Sequence, residues 1–169
     1  MTETLDGTVP PDVADLAEEV LRRAHEARLT LAAAESCTGG LLASLLTDVE
    51  GYAHAFERGF VAYSELSKHE LLGVGLDVLH FHGAVSEPVA RAMAEGALEA
   101  AHADVAVAVT GFAGPGAPGE EPGLVHFAVS RKGRPTIHRE EHFGDIGRGA
   151  VRLKCLRCCL EMLDQALAS

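Results

Sequence analysis

The chain has 169 residues, of which 47% are hydrophobic, and this length favours one domain with a single core. Its formal charge of −11 disfavours direct nucleic-acid binding, because an acidic surface repels phosphate backbones. Two tyrosines and no tryptophan argue against base stacking on aromatic side chains. The sequence has no apolar run of about 20 residues and its acidic start lacks the features of a signal peptide. We therefore expect a cytoplasmic protein without membrane contact.

The first half of the chain alternates helical and strand patterns. Residues 1–10 are predicted to be a flexible leader, and residues 11–169 the folded domain. Apolar residues at helical spacing then predict an amphipathic helix to about residue 28. The segments that follow are a buried strand within 29–36, a helix from about 38, a strand at 59–63 and a short helix ending at Gly73. Residues 75–83 are expected to form a loop.

The second half continues the alternation and adds a hairpin. Ser86 is a suitable N-cap for a helix over 87–102, and residues 104–111 have the pattern of a strand buried on both faces. A glycine-rich loop over 111–123 precedes two strands that flank residues 132–134. A helix over about 147–168 ends the chain. These elements predict an α/β fold, a single-domain three-layer α/β/α sandwich with a mixed sheet.

Three cysteines lie on one face of this last helix, namely Cys155, Cys158 and Cys159. Their spacing of i, i+3 and i+4 places them together. A single CxxC without a second pair is weak evidence for zinc. We therefore expect buried packing and no metal.

The segment Glu35-Ser36-Cys37-Thr38-Gly39-Gly40 is the sharpest chemical feature. A serine between a buried strand and a helix lies where unpaired backbone N–H groups and the helix dipole meet, an arrangement that stabilises an oxyanion. The adjacent glycines permit close approach of a ligand and also suit a phosphate cradle. Alternatively, Ser36 or Thr38 only caps the helix. Spacing alone does not decide between these interpretations.

A serine nucleophile needs a base to accept its proton. None of the nine histidines lies next to a glycine-rich turn. Lys68 is the other candidate, provided that burial lowers its pKa from about 10.4 towards 7–8. A solvent-facing helix lysine is the alternative. Tyr63 and Ser64, just upstream, either donate hydrogen bonds to the site or close the strand.

Two further segments are candidates for ligand binding. Thr110 and Gly111 begin the glycine-rich loop, which also contains Gly114, and loops beyond strand ends are the usual ligand positions in open α/β sheets. The loop matches neither a Walker A motif nor a dinucleotide fingerprint. Arg148 and Arg152 belong to a basic cluster near the C-terminus, which forms either a local anion pocket or a solvated helix face.

Several segments together resemble one known family. AESCTGG, FERGFVAYS, SKHELLGV, GAVSEPVARAMAEGAL, AVAVTGFAGPG and GLVHFA occur in the order found in the C-terminal domain of the competence/damage-inducible protein CinA. Stand-alone members of that family include nicotinamide mononucleotide deamidases. The resemblance covers roughly residues 11–167. It implies a homodimeric amidohydrolase that converts this nucleotide to nicotinic acid mononucleotide and ammonia without a cofactor.

On matching motif positions, the resemblance implies Ser36 as nucleophile and Lys68 as general base. It implies that Thr110 and Gly111 contribute to substrate binding. We expect the amides of Cys37 to Gly39 to hold the oxyanion, and Glu35 either to orient Lys68 or Thr38 or to be a structural carboxylate. The alternative is a non-catalytic domain that binds a pyridine nucleotide or a partner protein.

This chain also departs from the family pattern near its C-terminus. Many relatives carry GDR followed four residues later by a second arginine. Here Arg148 and Arg152 keep that spacing, but Asp145 is displaced. Binding of the substrate phosphate by either arginine is therefore a hypothesis.

Overall fold

The computed structural model describes residues 7–168. Within them, a five-stranded sheet lies between two layers of helices. The elements follow in chain order as α1 (Pro11–Ala27), β1 (Leu31–Glu35), α2 (Leu41–Thr47), a 3₁₀ turn (Ala53–Ala55), β2 (Phe56–Val61), α3 (Glu65–Leu72), α4 (Leu76–His82), α5 (Glu87–Ala101), β3 (Val105–Gly111), β4 (Leu124–Arg131), β5 (Ile137–His142) and α6 (Arg148–Ala168). The predicted mixed-sheet α/β/α sandwich is confirmed.

The sheet has the strand order β2-β1-β3-β4-β5. Strands β2, β1 and β3 are parallel to one another, whereas β4 and β5 are antiparallel to their neighbours. Helices α1 and α6 pack together on one face, and α5 covers the other face with α3 against it. Strands β1 and β3 are therefore buried on both faces. This explains their continuous apolar runs, which are typical of parallel strands covered by helices.

Several predicted boundaries differ from the structure. Residues 75–83 are not a loop, since they contain α4, whose one buried side chain is Leu79. Because so few of its residues are buried, α4 has no apolar periodicity to reveal it. Strand β2 begins at Phe56 rather than at residue 59, and its half-exposed edge position hides the pattern. Helix α2 begins at Leu41 rather than near residue 38.

The predicted leader and the cysteines of the last helix can also be compared with the structure. Residues 1–6 lie outside the described residues, but Val9 is buried in the core. The last part of the predicted leader is therefore packed rather than flexible. Cys155, Cys158 and Cys159 are buried, as predicted. No helix within residues 7–168 is long and apolar enough to cross a bilayer.

Candidate active site

Three chain segments meet at the carboxyl edge of the parallel strands. The backbone N–H of Ser36 donates to the Val109 carbonyl at 3.0 Å, and that of Ala62 donates to the Glu35 carbonyl at 2.8 Å. The ends of β1, β2 and β3 are therefore adjacent. Ligands bind at this edge in open α/β sheets, and Thr110 lies there at the end of β3.

A serine–lysine pair lies at this edge. Lys68 Nζ is 3.0 Å from Ser36 Oγ, and both residues are buried, with Lys68 only 1% exposed. Lys68 belongs to α3, which Ser64 caps by accepting a hydrogen bond from the Ser67 N–H at 3.0 Å. The cap fixes the first turn of α3, and Lys68 lies directly after it. The two candidates selected from the sequence are thus in contact.

Two backbone carbonyls hold the lysine amine. Lys68 Nζ donates to the Ala62 carbonyl at 2.9 Å and to the Tyr63 carbonyl at 3.2 Å. A charged amine also donates its third N–H to Ser36 Oγ. In a neutral amine, which has two N–H groups and one lone pair, the same two carbonyl bonds leave the lone pair for Ser36. Burial lowers the pKa of Lys68, while Cys37 and Glu65 oppose this shift. Compared with an exposed lysine, the environment therefore shifts Lys68 towards the neutral form, which accepts a proton.

Glu35 shapes the tight turn over residues 36–40, which we call the nucleophile turn. Its carboxylate accepts N–H bonds from Gly40 at 3.1 Å, Leu42 at 3.0 Å and Ala43 at 2.7 Å. Glu35 is 1% exposed. All three bonds go to the backbone of the turn and of α2, and none goes to Lys68. The geometry thus agrees with the structural alternative for Glu35.

Two backbone N–H groups of the nucleophile turn donate to no other described residue. The N–H of Gly39 donates to the Ser36 carbonyl at 3.1 Å, and that of Gly40 is taken by Glu35. Both glycines have positive φ, 60° and 98°, which other residues rarely adopt. Among the described residues, the amides of Cys37 and Thr38 donate to no other residue's oxygen. The expected set of oxyanion donors therefore narrows from three residues to Cys37 and Thr38.

A cavity of about 150 Å³ lies next to the pair: Cys37, which follows Ser36, and Tyr63, whose carbonyl accepts from Lys68, line it, whereas Ser36 and Lys68 do not. The residues that line it come from the nucleophile turn, the end of β2, the glycine-rich loop and the start of α6: Cys37, Tyr63, Gly111, Phe112, Ala113, Gly114, Pro115, Gly116, Glu120 and Arg148. Tyr63 is 69% exposed and forms part of the rim. The guanidinium of Arg148 lies 3.4 Å from where a Cβ of Gly114 would be. The cavity is thus bounded by one cation, one carboxylate, two aromatic side chains and the bare backbone of three glycines.

The remaining predicted residues have structural contacts. Thr110 is buried and its hydroxyl donates to the Ala84 carbonyl at 2.8 Å. A Cβ on Gly111 would lie 2.7 Å from the Val125 side chain, so a larger residue does not fit there. Arg152 Nε donates to the Cys37 carbonyl at 2.9 Å. Arg152 therefore holds the nucleophile turn, whereas Arg148 faces the cavity.

Sequence reasoning missed some contributors to the site. The carbonyls that orient Lys68 belong to the peptide backbone, which carries no residue-type signal. Phe112 and Glu120 line the cavity but lie in an irregular loop. A larger depression of about 600 Å³ lies at the start of α1, and its described lining includes no serine, lysine or histidine. Within residues 7–168, no three His, Cys, Asp or Glu side chains are grouped as metal ligands.

Fold and site together define a three-layer α/β protein with a buried serine–lysine pair beside a glycine-rich loop. The chain belongs to the CinA C-terminal domain family, whose model matches residues 13–167. A crystal structure of the competence/damage inducible protein CihA from Agrobacterium tumefaciens superimposes with a TM-score of 0.90 at 43% identity. That alignment covers 95% of this chain and 98% of the other.

Two relatives illustrate the range of the family. A CinA-like protein from Syntrophus aciditrophicus is 47% identical over 145 residues, 85% of this chain but only 34% of that protein. The chain thus spans about a third of this longer relative. Nicotinamide-nucleotide amidohydrolase PncC from Escherichia coli K12 is 43% identical over 157 residues, 91% of this chain and 94% of the relative.

Proposed function

We propose that this protein is an amidohydrolase that converts nicotinamide mononucleotide to nicotinic acid mononucleotide and ammonia. The observation that carries the proposal is the distance of 3.0 Å between Lys68 Nζ and Ser36 Oγ in a buried site. Similarity to a nicotinamide-nucleotide amidohydrolase over 94% of that relative's length supports the choice of substrate. Serine activated by an adjacent base is a recurring way to cleave a carboxamide.

The reaction begins with acylation. The lone pair of neutral Lys68 accepts the hydroxyl proton of Ser36 while Oγ attacks the carboxamide carbon. The amides of Cys37 and Thr38 donate hydrogen bonds to the oxyanion of the tetrahedral intermediate. Losing one such donor typically costs about a hundred- to a thousandfold in rate.

The second half releases both products. Protonated Lys68 transfers its proton to the departing nitrogen, so that ammonia leaves and an ester joins Ser36 to the nicotinoyl group. A water molecule then attacks this ester as Lys68 accepts its proton. Collapse of the second intermediate returns the proton to Ser36 Oγ and releases the carboxylic acid. The atoms of one amide and one water are thereby accounted for.

Cavity size and charge suggest how the nucleotide is held. The cavity of about 150 Å³ is smaller than the ~300 Å³ at the lower limit of common ligand pockets. It therefore takes the pyridine carboxamide alone, and the ribose phosphate extends towards the rim. The exposed guanidinium of Arg148 at that rim would bind the phosphate through charge-assisted hydrogen bonds. Arg152 would contribute indirectly through the Cys37 carbonyl.

The family resemblance implies a homodimer, and the sequence predicts a cytoplasmic location; both stay predictions. Several large apolar side chains on β2, α3 and α4 are exposed, among them Val61, Leu66, Leu76 and Phe81. A second copy could bury this surface. Analytical ultracentrifugation of the full chain measures the oligomeric state directly.

The proposed function is tested by measuring ammonia release from nicotinamide mononucleotide, nicotinamide riboside and a simple aromatic amide. We expect the nucleotide to have the highest kcat/KM. Ser36→Ala should reduce turnover about a thousandfold or more while the melting temperature changes little. Ser44→Ala is the matched control, because Ser44 is exposed on α2 and lies outside the proposed machinery.

Two results would contradict the proposal. The first is a Ser36→Ala variant that retains half of the wild-type rate. The second is tight binding of the nucleotide without ammonia release, which would support the alternative of a non-catalytic pyridine-nucleotide-binding domain. Calorimetric titration with the nucleotide distinguishes this second case from a protein that does not recognise the nucleotide at all.

A further inference from the structure

A carboxylate and a guanidinium line the same cavity. Glu120 lies in the glycine-rich loop and Arg148 at the start of α6. Within residues 7–168, the two side chains form no ion pair with each other. The proposed function uses Arg148 to bind the phosphate, whereas it gives no role to Glu120. The carboxylate is therefore a charged group of the cavity that remains to be explained.

A tight turn fixes the position of the Glu120 carboxylate. The Glu120 N–H donates to the Ala117 carbonyl at 3.0 Å, and Glu120 Oε2 accepts from the Ala117 N–H at 2.8 Å. A Cβ on Gly116 would lie 1.9 Å from Oε2, so the bare backbone of this glycine leaves the space that the carboxylate occupies. Oε1 accepts from no described residue. Although Glu120 is exposed, its carboxylate is thus held at the cavity.

The guanidinium of Arg148 lies over a second bare glycine of the same loop. Its Nη2 is 3.4 Å from where a Cβ of Gly114 would be. Gly114 and Gly116 are two positions apart, a span of at most about 7 Å. The two charges therefore flank one short stretch of backbone. A ligand that contacts both needs an anionic group for the guanidinium and hydrogen-bond donors for the carboxylate, and a ribose phosphate has both.

The chemistry of a carboxylate selects which part of the nucleotide it binds. An ionised carboxylate only accepts hydrogen bonds, and it repels a phosphate. Nicotinamide mononucleotide offers two kinds of donor, the carboxamide NH₂ group and the ribose hydroxyls. The carboxamide must reach Ser36, which is 6% exposed, whereas Glu120 is exposed at the opening of the cavity. The ribose hydroxyls are therefore the donors that can reach Glu120.

We propose that Glu120 is a specificity-determining residue, whose carboxylate accepts hydrogen bonds from the 2′- and 3′-hydroxyls of the substrate ribose. This inference rests on the proposed function, because it concerns how the same site selects a ribonucleotide. Oε1 is open, and Oε2 keeps one lone pair beyond the bond from Ala117. Acidic side chains recognise ribose hydroxyls in the same way in dinucleotide-binding folds.

The experiment compares nicotinamide mononucleotide with its 2′,3′-dideoxyribose analogue, which keeps the carboxamide, the pyridinium charge and the phosphate. In the wild type, kcat/KM for ammonia release should be about 10- to 100-fold lower for the analogue. Glu120→Ala should lower kcat/KM for the nucleotide by a similar factor and change it little for the analogue, so that the preference nearly disappears. Glu120→Gln should keep part of it, because one amide oxygen can still accept from the Ala117 N–H or from a hydroxyl.

Glu121→Ala is the matched control. Glu121 is the next residue of the loop, is hydrogen-bonded to His142 Nδ1 at 2.7 Å and does not line the cavity. It should keep the wild-type preference for the ribonucleotide. Nicotinamide riboside adds a second comparison, since it keeps the hydroxyls and lacks the phosphate. Glu120→Ala should weaken its turnover, whereas loss of a phosphate contact should not.

Calorimetric titration with both nucleotides separates this inference from the proposed function. A protein that prefers the ribonucleotide in binding, and loses this preference in Glu120→Ala, would support the inference even if it released no ammonia. Ammonia release with an unchanged preference in Glu120→Ala would overturn the inference alone. Equal losses for both nucleotides would also overturn it, because they indicate attraction of the pyridinium charge or a displaced loop. A protein that binds neither nucleotide would overturn both proposals.

Discussion

Lys68 Nζ and Ser36 Oγ are 3.0 Å apart, although 32 positions separate the two residues in the chain. The amine of Lys68 donates hydrogen bonds to the Ala62 and Tyr63 carbonyls. The hydroxyl of Ser36 is positioned by the end of β1, which directly precedes it. The pair is therefore assembled by the sheet edge and by α3 before any ligand binds. Such preorganisation is what proton transfer from serine to a base requires.

The pH dependence of activity should follow the lysine. Because burial lowers the pKa of Lys68 below its usual value of 10.5, the neutral form becomes populated at a lower pH than in an exposed lysine. Activity should therefore rise as pH increases through this lowered pKa and then level off. Lys68→Met should reduce kcat by about 10²- to 10⁴-fold and abolish the rise. An acidic optimum in the wild type would contradict the assignment, as measured by kcat over pH 5–10.

The same lysine should affect stability. The pKa of Lys68 is lower in the folded protein than in the unfolded chain. Between these two pKa values the unfolded chain binds more protons, so the free energy of unfolding rises with pH in this window. Lys68→Met removes the titrating group and should flatten the rise. Denaturant titrations of both proteins at several alkaline pH values measure the difference, and parallel pH profiles would disprove it.

Glu35 is expected to act as a positioning residue. Its carboxylate accepts three backbone N–H bonds, whereas the single oxygen of a glutamine cannot satisfy them all. Glu35→Gln should cost about 2 kcal/mol of stability and lower kcat with little change in KM, because the nucleophile turn loses its shape. Glu26→Gln is the control, since Glu26 forms an exposed ion pair with Arg22. An unchanged kcat would show that the turn keeps its shape without this carboxylate.

The sequence predicted those parts of the fold that depend on burial. The apolar runs of β1 and β3 and the stripes of α1, α5 and α6 all reflect side chains in the core. Helix α4 was not predicted because it buries only Leu79, and Phe81 of the same helix is 84% exposed. An element that contributes little to the core leaves no hydrophobic period in the sequence.

The residues of the candidate site could be selected from the sequence, but their supporting contacts could not. Ser36 and Lys68 were selected by residue type and family resemblance, and the structure brings them together. The role of Glu35 depends on how the nucleophile turn folds back on β1, which residue identity does not reveal. Arg148 and Arg152 share a helix and a residue type, yet one lines the cavity and the other bonds to the Cys37 carbonyl. Residues four positions apart lie on the same face of a helix, so the difference reflects their positions one turn apart along α6, which the sequence does not relate to the cavity.

The two arginines should therefore differ in specificity. Arg148→Ala should raise KM for nicotinamide mononucleotide by about 10- to 100-fold through loss of charge-assisted bonds, with little effect on the riboside that lacks the phosphate. Arg152→Ala should lower kcat for both compounds, because it loosens the nucleophile turn. Lys154→Ala is the control, since Lys154 is an exposed cation of the same helix that lies over the Phe143 ring. Equal losses for both compounds in Arg148→Ala would contradict phosphate binding there.

Gly96 couples the packing of α5 to the position of Lys68. A Cβ at Gly96 would lie 1.8 Å from the Leu72 carbonyl at the end of α3, so α3 must move away. Gly96→Ala should cost about 1–3 kcal/mol of stability and, by displacing α3, lower kcat. Gly149→Ala is the matched control, because nothing lies within 4 Å of its added Cβ. Since alanine is a better helix former than glycine, this change should stabilise the protein by no more than about 1 kcal/mol. Melting temperatures and kcat values of both variants test this coupling. A Gly96→Ala protein as stable and active as Gly149→Ala would show that the position of α3 does not depend on this contact.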